Sequence, residues 1–241
     1  MMNNINEPKE SFPYIPPSDK LKSDYYHIFQ IDKPLPQRFI KRVFDIFFSS
    51  IFILISLPIL LLLKILFLIE GTIDRSSAGP LTYFYWAKAQ DKLIKKRKIR
   101  VVKLSHVNKD LMKKHDWLAW SVEWNEEART NIGRFVKAFY LDEIPQLFSI
   151  FLGEMSFVGP RPLSVLHYDR DIAQGNVSRK LIKGGLLGFG HIRKGTAEFG
   201  DPSFEYEYID ACMNLSWYQL LKLDIWIIYK GLLVVLKGKG L

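Results

Sequence analysis

The sequence predicts an α-rich α/β fold, a cytosolic domain that rests on a membrane through a proline-broken helix hairpin and interfacial amphipathic helices. Residues 46–63 carry no charge, and the segment from Leu215 mixes aromatic and aliphatic residues with lysines. Strand signals are few. Residues 79–86 and 99–104 are the best candidates and would form a small hairpin. We divide the chain into a poorly ordered tail (1–37), a re-entrant membrane hairpin (38–72) and a main domain (73–241).

Composition limits the class of partner. The chain is 48% hydrophobic and 14% aromatic, which is too apolar for a disordered protein. Its net charge of +9 indicates an anionic partner: nucleic acid, acidic lipid or a phosphorylated substrate. A single cysteine, Cys212, excludes an internal disulfide, and the lack of C-x-x-C and H-E-x-x-H patterns argues against a structural zinc site. The polar, proline-rich N-terminus does not resemble a secretory signal.

The apolar segment 46–63 would be about 27 Å long as a straight helix, close to the hydrocarbon thickness of a bilayer. Length alone therefore allows one transmembrane helix. Pro58 lies inside the segment and predicts a kink, and both flanks are basic. Because cytoplasmic flanks carry the excess of Lys and Arg, a helix that enters and leaves on one face fits better. Asp45 is expected at the interface, paired with Lys41 or Arg42.

Two aromatic patterns allow alternative interpretations. Trp217, Tyr218, Trp226 and Tyr229 favour a C-terminal helix in the headgroup region, and an ordinary buried helix is the alternative. Trp117, Trp120 and Trp124 recur at helical spacing, which is more typical of a core face than of an interface anchor.

The basic run from Lys88 to Lys103 has three interpretations. Nucleic-acid binding is one, but no recognition helix, zinc finger or aromatic platform accompanies the run. Contact with anionic lipid explains it better, because the run follows a membrane segment directly. An ordinary solvated face is the third interpretation.

The stretch LDEIPQLFSIFLGEMSFVGPRP (141–162) concentrates acids in a basic chain. The simplest interpretation makes Asp142 the N-cap of a helix, with Pro145 in its first turn and Gly153 at its end. Arg161, between two prolines, suits bidentate binding of phosphate. A carboxylate can also be the nucleophile in phosphoryl transfer, which requires Mg²⁺ and cations to neutralise the phosphate oxygens.

Three motifs now resemble a known family: KRVFD (41–45), LDEIPQL (141–147) and GEMSFVGPRP (153–162). They are similar to the bacterial sugar transferases, monotopic phosphoglycosyl transferases on the cytoplasmic face of the bacterial inner membrane. The resemblance implies transfer of a sugar-1-phosphate from a UDP-sugar to polyprenol (undecaprenyl) phosphate, with release of UMP and the start of a glycan. It implies Mg²⁺ as cofactor, membrane lipids as partners and no nucleic acid, and it leaves a homodimer open.

The resemblance also assigns roles to residues. Asp142 would be the nucleophile, Glu143 its partner in metal binding or proton transfer, and Arg161 a phosphate clamp. Lys137 occupies a position where the family usually has a phosphate-binding arginine. Three further lysines of the implied phosphate- and substrate-binding site stand in altered motifs: Lys88 in WAKAQ (for Gln-x-Arg-x-Gly), Lys103 in KLSHV (for KFR(S/T)M) and Lys183 in KGGLLG (for RPG(I/L)TG). Glu154 would bind the metal together with Asp142 and Glu143, at a position where the family more commonly has Asp.

These altered motifs support a second hypothesis. The chain would then be a non-catalytic relative that serves as a membrane scaffold or regulator of a glycan-assembly complex.

Overall fold

The computed structural model describes residues 15–193, 196 and 198–236. Most of them are helical. The α-helices are α1 Asp19–Asp24, α2 Tyr26–Phe29, α3 Phe39–Ile73, α4 Lys109–Lys114, α5 Asp116–Trp120, α6 Asn131–Ala138, α7 Gln146–Leu152, α8 Val165–Ala173, α9 Ser178–Leu181, α10 Phe189–Ile192, α11 Ser203–Asn214 and α12 Trp217–Leu236. The strands are β1 Thr82–Ala89, β2 Lys92–Ile99, β3 Ser156–Val158, β4 Leu163–Ser164 and β5 Gly185–Leu187.

The N-terminal segment differs from the predicted tail. Residues 1–14 lie outside the described residues, but α1 and α2 place Leu21 and Ile28 in the hydrophobic core. Phe29 stacks on Tyr206 of α11 with ring centroids 4.8 Å apart. Because these contacts are tertiary, no local pattern in a polar, proline-rich segment predicts them. The last residues of the predicted main domain, 237–241, also lie outside the described residues.

Helix α3 is long and apolar enough to cross a membrane by length and composition. It continues through Pro58, so the predicted division into two helices is not observed. Side chains at helical spacing are buried along one face, from Asp45 and Ser49 through Leu63 to Glu70. The other faces are apolar and exposed, as expected for contact with lipid, and the path of α3 through a bilayer stays a prediction.

Both ends of α3 are attached to the same domain. Asp45 is fully buried and accepts hydrogen bonds from Phe157 N and Ser156 Oγ, both at 3.1 Å. The expected pairing with Lys41 or Arg42 is therefore wrong: Lys41 pairs with Asp224, and Arg42 binds carbonyl groups of α7. The reason is that β3 offers Asp45 buried donors that a sequence pattern does not show.

At the other end of α3, Glu70 accepts from Asn131 N (2.6 Å) and Ile132 N (3.2 Å). This carboxylate satisfies free N–H groups in the first turn of α6.

Strands β1 and β2 form an antiparallel hairpin, and β4 pairs with the other edge of β1. The first predicted strand is confirmed, whereas the second is wrong, because β2 consists of the basic run 92–99. A two-residue turn joins the strands, and Gln90 and Asp91 both adopt positive φ (52° and 57°), as type I′ hairpins require. The turn contains no glycine, so its sequence did not indicate a hairpin.

The C-terminal helix is confirmed as α12. Its inner face buries Leu220, Asp224 and Ile227. Its exposed aromatic side chains are Trp217, Tyr218, Trp226 and Tyr229. Helix α5 ends at Trp120, so the three tryptophans do not lie on one continuous α-helix. Trp120 is buried and stacks on Tyr83 at 3.9 Å, as the core interpretation predicts.

Candidate active site

The adjacent carboxylates lie in a 3-10 turn, Leu141–Glu143, which follows Tyr140 in a left-handed conformation (φ 56°). Asp142 is therefore not the N-cap of the following helix, as the simplest sequence interpretation expected. Helix α7 begins only at Gln146, and it ends as predicted at Gly153, with φ 83°. The turn directs both acids inward, where buried cations bind them.

Asp142 is 1% exposed, and its two oxygens have different surroundings. Oδ2 lies 2.9 Å from Lys98 Nζ and 3.3 Å from Lys137 Nζ. Oδ1 is buried and has no hydrogen-bond partner among the described residues. One oxygen is thus fixed by two ammonium groups while the other keeps its lone pairs free for a ligand.

Glu123 completes this buried cluster. Its carboxylate lies 3.2 Å from Lys98 Nζ and 3.6 Å from Lys137 Nζ. Burial alone raises the pKa of Glu123, but the two lysines outweigh burial and lower the pKa to about 2. Burial likewise lowers the pKa of Lys98, yet attraction to Asp142 and Glu123 raises it well above its usual value. Lys98 therefore stays charged between two carboxylates.

Glu143 faces Arg161. Arg161 Nη2 donates to Glu143 Oε1 at 2.6 Å, and its Nη1 lies 3.0 Å from His191 Nε2. Burial favours the neutral form of Glu143, but Arg161 first, and then Lys96 and Lys98, hold its pKa well below the usual range. Burial similarly lowers the pKa of Arg161, and the Glu143 carboxylate more than offsets this effect. Both groups are ionised at neutral pH.

The turn that carries Arg161 is fixed by close backbone contacts. A Cβ atom on Gly159 would lie 2.4 Å from Lys183 O, and one on Gly185 would lie 2.1 Å from Gly159 N. These glycines let β3 and β5 approach, so GPRP and KGGLLG form one packed unit. Arg179, buried between Asp171 and Glu205, donates to Arg161 O at 3.0 Å and holds the turn from the other side.

Lys96 is the most unusual cation of the site. It is 1% exposed, lies one strand repeat from Lys98 on the same face of β2, and forms no ion pair with a described carboxylate. Burial, and then repulsion by Arg161, lower its pKa well below the usual value. Lys96, Lys98 and Arg161 line one polar cavity of about 70 Å³, together with Tyr85 and Trp124. Three cations at one cavity wall, one of them (Lys96) with no described carboxylate in an ion pair, suit a phosphorylated ligand.

The structure brings four of the predicted residues together: Asp142, Glu143, Lys137 and Arg161. The other three lysines lie elsewhere. Lys103 pairs with Asp74 and Lys88 with Asp169, both at 2.8 Å. Lys183 donates to Gln37 and to Gly153 O. A lysine in an altered motif does not mark a site residue here, because each of these three lysines binds a partner outside the site.

Glu154 also lies apart from the carboxylate pair. It pairs with Arg97 at 3.1 Å, so the predicted set Asp142, Glu143 and Glu154 is not assembled. The described residues contain no group of three or more His, Cys, Asp or Glu side chains placed to hold a metal ion. The adjacent pair still fits Mg²⁺, because Asp142 Oδ1 is an unpartnered buried oxygen and Mg²⁺ usually takes one or two protein carboxylates together with phosphates and water.

The sequence motifs did not indicate Lys96, Lys98 or Glu123 as site residues. The alternation within β2 contained the signal for the lysines, since residues 94, 96 and 98 share the buried face. KIRVV (98–102) also keeps the spacing of Lys and Arg in KFR(S/T)M, five residues before KLSHV. No comparable signal marked Glu123, whose partners come from β1, β2 and α6.

The chain is similar to known proteins over most of its length. A family model described as bacterial sugar transferase matches residues 36–238. A UDP-glucose:undecaprenyl-phosphate glucose-1-phosphate transferase of Klebsiella pneumoniae is 30% identical over 79% of this chain and 40% of that protein. A UDP-galactose-lipid carrier transferase of Erwinia amylovora is 32% identical over 84% of this chain and 42% of that protein.

A third relative covers more of the chain. A UDP-N-acetylgalactosamine-undecaprenyl-phosphate N-acetylgalactosaminephosphotransferase of Aeromonas hydrophila is 28% identical over 92% of this chain and 50% of that protein. The chain thus spans half the length or less of these three relatives.

Proposed function

Because this chain belongs to the bacterial sugar transferase family, we propose that it transfers a sugar-1-phosphate from a UDP-sugar to undecaprenyl phosphate and releases UMP. The observation that carries the proposal is the asymmetry of Asp142, whose Oδ2 is held by Lys98 and Lys137 while Oδ1 has no described hydrogen-bond partner. The names of the relatives support this donor and acceptor class.

The proposed chemistry has two displacement steps. Asp142 Oδ1 attacks the sugar-bearing phosphorus of the donor, the bond from that phosphorus to the bridging oxygen breaks, and UMP leaves with the electron pair. The aspartyl phosphosugar is then attacked at the same phosphorus by a phosphate oxygen of the acceptor. The acyl–phosphate bond breaks, which restores the Asp142 carboxylate and yields a lipid diphosphosugar. Neither step requires net uptake or release of a proton by the protein.

The cations around the carboxylates support this chemistry. Lys98 and Lys137 keep Asp142 ionised and fix its orientation. Lys96 and Arg161 offer positive charge at the wall of the polar cavity, where the donor diphosphate would develop additional negative charge. Fixed charges in a buried site are more effective than the same charges in water, because no solvent has to reorganise.

Asp142 and Glu143 would hold Mg²⁺. The ion supplies positive charge that neutralises diphosphate oxygens when bound. Glu154 is left out of this set because it lies apart from the carboxylate pair, where it pairs with Arg97.

The proposed place of action is the cytoplasmic face of the bacterial inner membrane. The basic flanks of α3 and the attachment of both its ends to one domain support a monotopic arrangement. There the lipid product would start assembly of a glycan such as an exopolysaccharide, capsule or O-antigen.

The test is UMP release by purified protein with Mg²⁺, undecaprenyl phosphate and a panel of UDP-sugars. We expect release with at least one donor, loss of release in Asp142→Asn, and retention in Asp110→Asn, a matched change of an exposed acid on α4. Without acceptor, the wild type should gain the mass of one sugar phosphate and Asp142→Asn should not. Release by Asp142→Asn at the wild-type rate would overturn the mechanism.

The scaffold hypothesis predicts a different pattern. Under it, no UDP-sugar gives UMP, and cells that carry only Asp142→Ala still produce glycan normally.

A further inference from the structure

A second cavity is lined in part by Glu143 of the carboxylate pair, and we call it the apolar groove. Its volume is about 230 Å³, and its walls come from the segment 139–147, β5, α10 and the end of α12. Aliphatic side chains form most of the wall: Leu141, Ile144, Leu147, Leu186, Leu187, Leu232, Val234 and Val235. A lining of this kind favours a hydrocarbon ligand.

One part of the groove wall is polar. Glu143, Tyr140 and His191 line it there, and Arg161 contacts both Glu143 and His191. Arg161 also lines the polar cavity that contains Lys96 and Lys98. The Glu143–Arg161 pair therefore separates a cationic cavity from an apolar one. A site with this division is suited to two substrates of different polarity that meet at one phosphorus atom.

The exposed side chains of the groove wall are apolar. Phe139 and Leu232 line the groove and are 40% and 49% exposed. Trp226 and Tyr229 are exposed nearby along α12, so the opening lies on a surface rich in apolar and aromatic side chains.

We propose that the apolar groove holds the first isoprene units of the acceptor lipid, with its phosphate at the Arg161–His191 end. This inference rests on the proposed function. The groove matches an amphiphile, because most of its wall is aliphatic while two of its polar wall residues, Glu143 and His191, contact Arg161. It places the acceptor phosphate beside Glu143, and hence one residue from the proposed nucleophile.

A larger cavity, of about 380 Å³, is a weaker candidate for the same ligand. It lies between residues 35–41 and α11, and neither Asp142 nor Glu143 lines it. A lipid bound there would not border the carboxylate pair.

The kinetic test uses the whole 241-residue chain and separates the two half-reactions. We compare Val235→Asn, which places an amide in the groove, with Ile225→Asn, a matched change at an exposed position of α12 outside it. The UMP burst without acceptor should be unchanged in both variants. The ratio of kcat/KM for farnesyl phosphate to kcat/KM for butyl phosphate should fall at least 10-fold in Val235→Asn and stay at the wild-type value in Ile225→Asn. If Val235→Asn gives the wild-type UMP burst and also keeps the wild-type ratio of kcat/KM for the two acceptors, the proposal is overturned.

A second measurement uses the wild type alone. Farnesyl phosphate with a diazirine on its first isoprene unit should label peptides from 139–147, 186–191 or 231–235. Labelling confined to 35–41 and 208–220 overturns the proposal in favour of the larger cavity. Labelling of the groove by a diazirine phospholipid, without competition from farnesyl phosphate, also overturns it and identifies a structural lipid. If no UDP-sugar gives a UMP burst, the proposed function fails, while the labelling still tests the groove.

Discussion

Lys98 Nζ lies 2.9 Å from Asp142 Oδ2, and both side chains are 1% exposed. The pair joins a strand to a 3-10 turn more than 40 residues later, so the fold and the site depend on the same contact. Lys98 also lies 3.2 Å from Glu123, which makes it the central cation between two buried carboxylates. A buried charge whose partner is removed is strongly destabilising, whereas a complete pair is not.

Lys98→Met should therefore destabilise the fold as well as the reaction. Removal of this ammonium leaves Lys137 as the one described cation paired with Asp142 and Glu123, and we expect a loss of about 3–5 kcal/mol in the free energy of unfolding. Urea denaturation in detergent measures it. Lys95→Met, a half-buried position on the other face of β2, is the matched control and should change stability by about 0.5 kcal/mol or less. Equal stability of Lys98→Met and the wild type would contradict the role given to this pair.

Lys96→Met should have the opposite effect on stability. Lys96 is buried without an acidic partner, and its pKa in the folded protein is lowered, so the charged form is destabilising at every pH below its usual pKa of about 10.5. The methionine variant should be more stable than the wild type at pH 7, and the difference should shrink as the pH rises towards that value.

The same variant should bind the donor poorly. Loss of one charge-assisted contact to a phosphate costs about 1.5–3 kcal/mol, so KM for the UDP-sugar should rise about 10- to 100-fold. Thermal unfolding at several pH values and initial-rate kinetics measure the two effects. A variant that is stabilised but keeps its KM would remove Lys96 from the phosphate site.

Two glutamates distinguish the proposed metal site from the set predicted by the resemblance. Each pairs with an arginine, Glu143 with Arg161 at 2.6 Å and Glu154 with Arg97 at 3.1 Å, so their glutamine variants are matched. Glu143→Gln should raise the Mg²⁺ concentration needed for half-maximal UMP release about 10- to 100-fold, while Glu154→Gln should leave it unchanged. Titration of Mg²⁺ with each variant measures this. A larger shift in Glu154→Gln would restore the three-carboxylate set.

The sequence predicted the part of the site that is local in the chain. Asp142, Glu143 and Arg161 stand within 20 residues of one another in a motif that indicates phosphate chemistry, and the structure brings them together. The sequence did not predict Glu123 or Lys98, because their contact joins elements that are separate in the chain. In addition, most residues of β2 are charged, so the alternation of buried and more exposed positions along the strand was not visible as a hydrophobic pattern. The same holds for the fold. The composition of the C-terminal segment predicted α12, whereas α1 and α2 depend on tertiary contacts such as that of Phe29 with Tyr206 of α11, which no local pattern shows.

The topology of α3 is the prediction that a labelling experiment decides directly. Asp45 binds β3 and Glu70 binds the start of α6, and both neighbours belong to one hydrophobic core that includes Phe157 and Val136. A helix that crossed the bilayer between these residues would place parts of one core on opposite sides, which a folded domain does not allow. Both flanks of α3 should therefore be cytoplasmic.

Single cysteines at Lys33 and Arg75, both exposed positions flanking α3, test this in a Cys212→Ser background. A membrane-impermeant maleimide should label both in inside-out vesicles and neither in intact spheroplasts. Lys109→Cys, on exposed α4 of the domain, is the control for the cytoplasmic side. Labelling of Lys33→Cys and Arg75→Cys from opposite sides would show a simple span. The contacts of Asp45 and Glu70 could then not exist together in the membrane.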